Sequence, residues 1–231
     1  WPMLESIYDR IKDTVESFVY MSDKPGLPDT IIKPLYEYEE IIKDQAPEFE
    51  WPNLHEDNYA TLCYTTGTTG LPKGVILTHA NLLANIRAMG EAIPADSTDV
   101  FVSWLPLYHD MGLIGAWLGS LYYGTRLVLM SPLAFLVRPG RWLWAIHRHR
   151  GTLTAAPNFA YELCLNKVTE DELDGLDLGS LRRAFNGAEP VSPNTIRRFG
   201  ERFAPRGLRA QAIAPVYGLA EAAVGLAFPP P

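Results

Sequence analysis

The sequence has little of what marks three classes of protein. Two cysteines, Cys63 and Cys164, in 231 residues make no disulfide framework, so we expect a reducing, cytoplasmic setting. The sequence has no apolar run of the roughly 18 residues that a membrane helix needs, and we expect no signal peptide. Basic residues form no stripe of the kind that binds nucleic acid. With 47% hydrophobic residues, the chain is instead expected to bury a large core, with no membrane span and no nucleic-acid partner.

Charge is unevenly distributed along the chain. Residues 1–60 contain five basic and 14 acidic residues, a net charge of −9, whereas residues 61–231 carry +2. The basic residues also change in type: five lysines and one arginine occur up to Lys73, and one lysine and thirteen arginines follow it. This pattern indicates two segments of different character that meet near Lys73.

A loop rich in glycine and threonine lies between two apolar runs, residues 60–64 and 75–77. Residues 65–74 read TTGTTGLPKG. Glycines let backbone N–H groups approach an anion, threonine hydroxyls add donors, and Lys73 adds a positive charge. The loop fails the Walker pattern at two fixed positions. A plain hairpin turn is the alternative, but it would not need so many threonines and glycines, so the pattern favours a phosphate-binding loop.

From Tyr59 onward, strand-like and helix-like segments alternate, which predicts an α/β fold with a mostly parallel sheet and helices on both faces. Residues 1–57 predict a separate preceding subdomain, with a helix and a strand up to residue 21 and a short helix near 36–43; residues 58–231 predict the ligand-binding subdomain. The predicted strands are 59–64, 75–77, 100–104, 125–130, 152–155, 181–185 and 209–214, and the predicted helices are 79–92, 110–123, 141–149, 158–168 and 193–203.

Ligands in such sheets bind beyond the carboxyl ends of the strands, so the residues that follow each strand are candidates for a site. His109 and Asp110 follow strand 100–104. The pair could be an acid/base dyad, half of a metal site or a helix cap. The residues alone favour the cap.

Two further strand ends carry unusual residues. An Asn-Gly turn that includes Gly187 follows strand 181–185. Tyr217 and Glu221 follow strand 209–214, where a ring can stack on a purine and a carboxylate can hold Mg²⁺. An ordinary helix start with a buried tyrosine is the alternative.

The loop at residues 65–74 resembles the phosphate loop of the acyl-adenylate-forming superfamily, which includes acyl-CoA synthetases, fatty acyl-AMP ligases and peptide-synthetase adenylation domains. The resemblance implies that a carboxylate attacks the α-phosphate of ATP and gives an acyl-AMP and pyrophosphate. It also implies ATP and Mg²⁺ as cofactors, a fatty acid as substrate, and an acyl carrier protein or CoA as acceptor. The open alternatives are an acyl-CoA ligase proper and a catalytically silent nucleotide-binding fragment.

The resemblance also implies roles for individual residues. Lys73, His109 and Glu221 would be catalytic: Lys73 would hold the pyrophosphate end of ATP, His109 would orient the substrate carboxylate, and Glu221 would hold Mg²⁺. Most of the superfamily has threonine at the position of Ala220, and alanine there points to the fatty acyl-AMP ligases. The implied ATP-binding residues are Thr65, Thr66, Gly67, Thr68, Thr69, Gly70, Lys73, Gly187, Ala188, Glu189, Tyr217, Gly218 and Ala220, and the implied acyl-binding residues are His109, Met111, Gly112, Phe159 and Tyr161.

The resemblance changes along the chain. Residues 1–74 are more similar to medium- or long-chain acyl-CoA ligases, and residues 78–231 to fatty acyl-AMP ligases. Because the change from lysine to arginine falls at the same place, one hypothesis is that two related sequences are joined near the loop. The other is a single divergent family member. By the same resemblance, we expect a small C-terminal, lysine-bearing domain to lie outside this chain.

Overall fold

The computed structural model describes residues 2–6, 8–13, 15–20, 26–44, 53–65 and 73–229. It divides into two compact units, Trp1–Asn53 and Leu54–Pro231. Among the described residues, no helix has the length and apolar character that crossing a bilayer requires.

The first unit consists of short elements. Strands β1 (Phe18–Tyr20) and β2 (Leu35–Glu37) pair in parallel. The predicted first helix is in fact two short helices, α1 (Pro2–Glu5) and α2 (Tyr8–Ile11), and α3 (Tyr38–Ile42) follows β2.

The glycine-threonine loop connects two antiparallel strands of the second unit. Strand β3 (Tyr59–Thr65) pairs with β4 (Lys73–Thr78), and Thr65 lies opposite Lys73 in the register. Both strands were predicted, but they form a sheet of their own that is not parallel. Residues 66–72, which join them, lie outside the described residues. The antiparallel pairing of the flanking strands does not exclude phosphate binding by the loop, which stays a prediction.

The main sheet of the second unit has five parallel strands in the order β6-β5-β7-β8-β9. The central strand β7 is buried along its whole length, as expected for a parallel sheet covered on both faces. This arrangement confirms the predicted α/β fold. The strands are β5 (Val100–Ser103), β6 (Arg126–Leu129), β7 (Leu153–Ala156), β8 (Arg183–Asn186) and β9 (Ile213–Pro215).

Helices connect the strands, and their ends follow local signals. Thr78 caps the first of them: its hydroxyl accepts a hydrogen bond from the backbone N–H of Asn81, whose side chain accepts one from the N–H of Thr78. The helices are α4 (His79–Ala92), a π-helix (Met111–Leu118) that continues into α5 (Gly119–Tyr123), α6 (Pro132–Val137), α7 (Gly140–His149), α8 (Asn158–Lys167) and α9 (Pro193–Phe203).

Other parts of the second unit also differ from the sequence predictions. Residues 110–123 are helical, but Met111–Leu118 has π geometry, which periodicity does not detect. The predicted strand 209–214 is a strand only at Ile213–Pro215, because Ala210–Ala212 forms a 3-10 turn before it. Helix α6 was not predicted.

An aromatic cluster fills the core beside β5 and β7. The rings of Trp104 and Phe135 stack with their centroids 4.0 Å apart, and Trp142 meets Tyr161 edge-on at 5.5 Å. Cys164 is a buried core residue near this cluster, and burial raises the pKa of its thiol.

Candidate functional site

A cavity of about 550 Å³ runs along one face of the main sheet. At the carboxyl ends of the strands its lining includes His109, Ala188, Tyr217 and Glu221. These residues follow three different strands, so the fold brings together positions that are up to 112 residues apart. Further in, apolar side chains dominate the wall; they include Ile86, Met89, Ile93, Phe101 and Phe185.

His109 and Asp110 form both the hydrogen-bonded pair and the helix cap that the sequence left open. His109 Nδ1 lies 2.9 Å from Asp110 Oδ1, which also accepts a 2.7 Å hydrogen bond from the backbone N–H of Met111. The hydrogen bond to Asp110 raises the pKa of the imidazole, although burial opposes it. Burial also opposes ionisation of Asp110, but the hydrogen bond from His109 keeps the pKa of this carboxyl below its usual value. A half-buried imidazolium at this point would face any anionic group in the cavity.

The turn after β8 reaches the cavity through its backbone and Ala188. A Cβ on Gly187 would lie 2.8 Å from Val216 Cγ2, so this position has room for glycine alone. Ala188 has a φ of 66° and lines the cavity. Glu189 has another partner: its Oε1 accepts a hydrogen bond from the backbone N–H of Phe159 in the first turn of α8.

Residues 217–227 form a closed loop that we call the 217–227 loop. Tyr217 N–H donates to Ala227 O at 3.1 Å, and Ala227 N–H donates to Tyr217 O at 2.9 Å. A Cβ on Gly218 would lie 1.6 Å from Val224 O, and Val224 has a φ of 89°, which is a strained conformation for a β-branched residue. The Tyr217 side chain is 61% exposed, so it is not the core tyrosine of the alternative interpretation.

Asn85 of α4 is a residue of this region that the sequence interpretation did not identify. Its Nδ2 donates to Gly225 O at 2.6 Å, and its Oδ1 accepts from Gly225 N–H at 3.0 Å. The side chain thus attaches the 217–227 loop to α4 across 140 residues of sequence. Asparagine in the middle of a helix is disfavoured, and that is the one local signal that could have found it.

Three residues expected at the acyl chain do not line the cavity in the described part of the protein. Gly112 packs on the backbone, since a Cβ there would lie 2.3 Å from Pro106 O. Phe159 is 43% exposed and meets Trp104 edge-on at 6.0 Å. Tyr161 is buried in the aromatic cluster, where its hydroxyl donates to Phe185 O at 2.9 Å.

The rest of the cavity wall includes some residues with implied binding roles and others without. Met111, Gly218 and Ala220, for which the resemblance implies binding roles, line the cavity together with Gly115, Gly119 and Ser120 from the helical segment after Asp110. The expected ATP-binding residues Thr66, Gly67, Thr68, Thr69 and Gly70 lie outside the described residues, and Thr65 and Lys73 are described as paired backbone positions.

Glu221 is the candidate metal ligand at the cavity. Among the described residues, no three histidine, cysteine or acidic side chains come together as a metal cluster. Mg²⁺ is commonly held by one or two carboxylates and the oxygens of a substrate phosphate. One exposed carboxylate beside a cavity therefore fits a magnesium ion that arrives with a nucleotide.

The model of the family described as "AMP-binding enzyme" matches residues 12–231. The chain belongs to this family. Its membership agrees with the resemblance of the glycine-threonine loop and with the position of the cavity at the strand ends.

Several relatives of this AMP-binding chain are named as fatty-acid ligases. It is 46% identical over 171 residues to "Medium-chain-fatty-acid--[acyl-carrier-protein] ligase TtuA" of Teredinibacter turnerae, covering 74% of this chain and 27% of that protein. It is 45% identical over 179 residues to "Long-chain-fatty-acid--AMP ligase FadD26" of Mycobacterium marinum, covering 74% and 30%. The AMP-binding chain thus spans about a third or less of the length of these relatives.

Among solved structures, the AMP-binding chain is similar to a fatty acyl-adenylate ligase from L. pneumophila in complex with acyl adenylate and pyrophosphate. The TM-score is 0.78 at 31% identity, covering 99% of this chain and 41% of that one. A fatty acid AMP ligase from Legionella pneumophila gives a TM-score of 0.76 at 40% identity, covering 79% and 32%.

Proposed function

We propose that this chain is part of a ligase that activates a fatty acid with ATP to an acyl-adenylate and pyrophosphate. The observation that carries the proposal is the cavity, which joins polar and ionisable groups at the strand ends to an apolar interior. An acyl-adenylate has the same division into a charged phosphate-bearing part and a hydrocarbon chain. Relatives named as fatty-acid ligases support this assignment.

In this proposal the nucleotide lies at the carboxyl ends of β8 and β9. The exposed ring of Tyr217 offers a surface on which adenine can stack, and Ala188, which follows Gly187 in the turn after β8, lines the same cavity. Glu189 supports the turn after β8 through its hydrogen bond to the first turn of α8. Lys73 and the glycine-threonine loop hold the pyrophosphate end of ATP.

His109 and Glu221 serve the reacting end of the substrate. An imidazolium stabilised by Asp110 attracts the substrate carboxylate and orients it toward the α-phosphate. Glu221 would bind Mg²⁺, which when bound neutralises charge on the phosphate oxygens. The strained 217–227 loop, held by Asn85, keeps Tyr217 and Glu221 in position.

The acyl chain lies along the apolar wall between α4 and the π-helix. Burial of hydrocarbon is worth about 0.8 kcal/mol per methylene, so affinity for the adenylate should rise roughly fourfold with each added carbon that enters the cavity. We expect Phe159 and Tyr161 to act only indirectly, since other residues form the wall.

We propose that the acceptor of the acyl group is an acyl carrier protein and that the reaction takes place in the cytoplasm. The names of TtuA and of "Medium-chain-fatty-acid--[acyl-carrier-protein] ligase JamA", 43% identical over 187 residues, favour it. CoA is the second candidate, because a relative named "Putative fatty-acid--CoA ligase fadD21" is 42% identical over 205 residues. Supplying the preformed adenylate with each acceptor in turn, to a protein that includes the expected C-terminal domain, separates the two.

The test of adenylate binding is the thermal stability of the chain with Mg·ATP and with a stable acyl-sulfamoyl-adenosine mimic of the acyl-adenylate. A ligand at a hundredfold excess over its Kd stabilises the folded state by about 2.7 kcal/mol. A clear rise in Tm with the mimic supports the proposal. A cooperative transition that neither ligand shifts would overturn it.

A further inference from the structure

We propose that the inner end of the cavity is a polar subsite, centred on Ser120, which selects acyl chains that carry a hydroxyl group near the tail. This inference rests on the proposed function, because it assumes that the cavity holds the acyl chain. It adds a substrate class, an oxygenated acid, to that function.

The first observation is a buried hydroxyl without a partner. Ser120 is 5% exposed, and its Oγ has no hydrogen-bond partner among the described residues. Ser120 also lines the cavity. A buried polar group that makes no hydrogen bond is uncommon and costs stability, so such a group beside a ligand cavity points to a bond that the ligand completes.

Ser120 does not form the internal hydrogen bond that is common for a serine in a helix. A serine in an α-helix often bonds the carbonyl four residues before it, which here belongs to Ala116. That carbonyl accepts a hydrogen bond from Gly119 N–H at the junction between the π-helix and α5 and none from Ser120 Oγ. Because Ser120 lines the cavity, its hydroxyl remains available to a ligand there.

The second observation is the position of Ser120 relative to the reacting end. The π-helix starts at Met111, next to His109, and Ser120 follows nine positions later. At roughly 1.5 Å of rise per helical residue, nine positions correspond to about 14 Å along the helix axis between Met111 and Ser120. Thr125, which precedes β6, and Leu153, the first residue of β7, line the same inner end.

The other hydroxyl groups at this end already have partners. Thr125 Oγ1 donates to Asp96 O at 3.1 Å, and Tyr123 OH lies 3.3 Å from Arg87 O, to which it donates. The neighbouring wall is apolar, with Ile93 and Phe101. A plain hydrocarbon tail would leave Ser120 unpaired, whereas a tail hydroxyl would pair with it.

The experiment measures the affinity of the chain for acyl-sulfamoyl-adenosine mimics in matched pairs, with and without a terminal hydroxyl, over a series of chain lengths. One neutral hydrogen bond corresponds to an affinity gain of about threefold to tenfold. At the length that reaches Ser120, we expect the hydroxylated mimic to bind tighter by that factor. Ser120→Ala should abolish this preference, and it should bind the plain mimic at least as well as the unsubstituted chain does.

Ser97→Ala is the matched control, because Ser97 is exposed and is not among the residues that line the cavity. It should keep the preference. Equal binding of each pair at every length would overturn the subsite and leave the proposed function standing, since both mimics bind. A preference that persists in Ser120→Ala would also overturn it. If neither mimic binds, the proposed function fails and the subsite fails with it.

Discussion

Replacing Asn85 by alanine tests whether the 217–227 loop is held by α4. The change removes two hydrogen bonds to Gly225, of 2.6 and 3.0 Å. Each is worth about 0.5–1.5 kcal/mol, and alanine returns roughly 0.5 kcal/mol of helix propensity. We therefore expect the free energy of unfolding to fall by about 0.5–2.5 kcal/mol.

The same substitution should weaken adenylate binding, because Tyr217 and Glu221 belong to the loop that Asn85 holds. Chemical denaturation followed by tryptophan fluorescence gives the stability, and calorimetric titration with the acyl-sulfamoyl-adenosine mimic gives the affinity. Asn166→Ala is the control, since Asn166 is an exposed position of α8 and should gain slightly in stability. If Asn85→Ala leaves both stability and affinity unchanged, the loop does not depend on this contact.

Three further predictions concern single residues of the proposed site. The hydrogen bond to Asp110 raises the pKa of His109 above 6.5, so the stabilising charge of the imidazole is fully present below pH 6.5 and is lost as the pH rises through the raised value. Asp110→Asn should therefore move the titration of the imidazole, followed by NMR, to lower pH. An unmoved titration would contradict the pairing. Gly218→Ala should reduce the affinity for the mimic, because a Cβ at this position would lie 1.6 Å from the carbonyl oxygen of Val224. Gly200→Ala is the control and should bind the mimic with unchanged affinity, because a Cβ at Gly200 has no heavy atom within 4 Å. Equal affinities of the two variants would refute the tight packing at Gly218. Lys73→Ala should weaken the binding of ATP and spare that of AMP, and calorimetry that shows equal losses for the two nucleotides would contradict its assignment to the pyrophosphate end.

Elements with local signals were predictable from the sequence. Helix α9 has the predicted bounds, Pro193–Phe203, because Ser192 caps it and proline suits its first position. Helix α4 likewise starts after Thr78 as predicted. The alternation of strands and helices was enough to predict the parallel sheet, since each connecting helix brings the chain back to the end of the sheet at which the previous strand began.

Features that depend on contacts between distant residues were not predictable. Tyr161 and Tyr217 are both tyrosines that follow a strand, yet one is buried in the core and the other is 61% exposed. Nothing in the residues near them distinguishes the two. The packing of neighbouring elements decides which tyrosine faces the cavity and which supports the sheet.

By itself, the sequence determined the α/β class, most of the strand and helix order and the family, because these depend on local periodicity, caps and a loop motif. Tertiary structure alone decided the antiparallel pairing of β3 and β4, the contact of Asn85 with Gly225 and the unpaired hydroxyl of Ser120. The strand pairing and the Asn85 contact depend on where remote parts of the chain meet. Such meetings follow from the packing of whole elements and leave no periodic trace in the sequence.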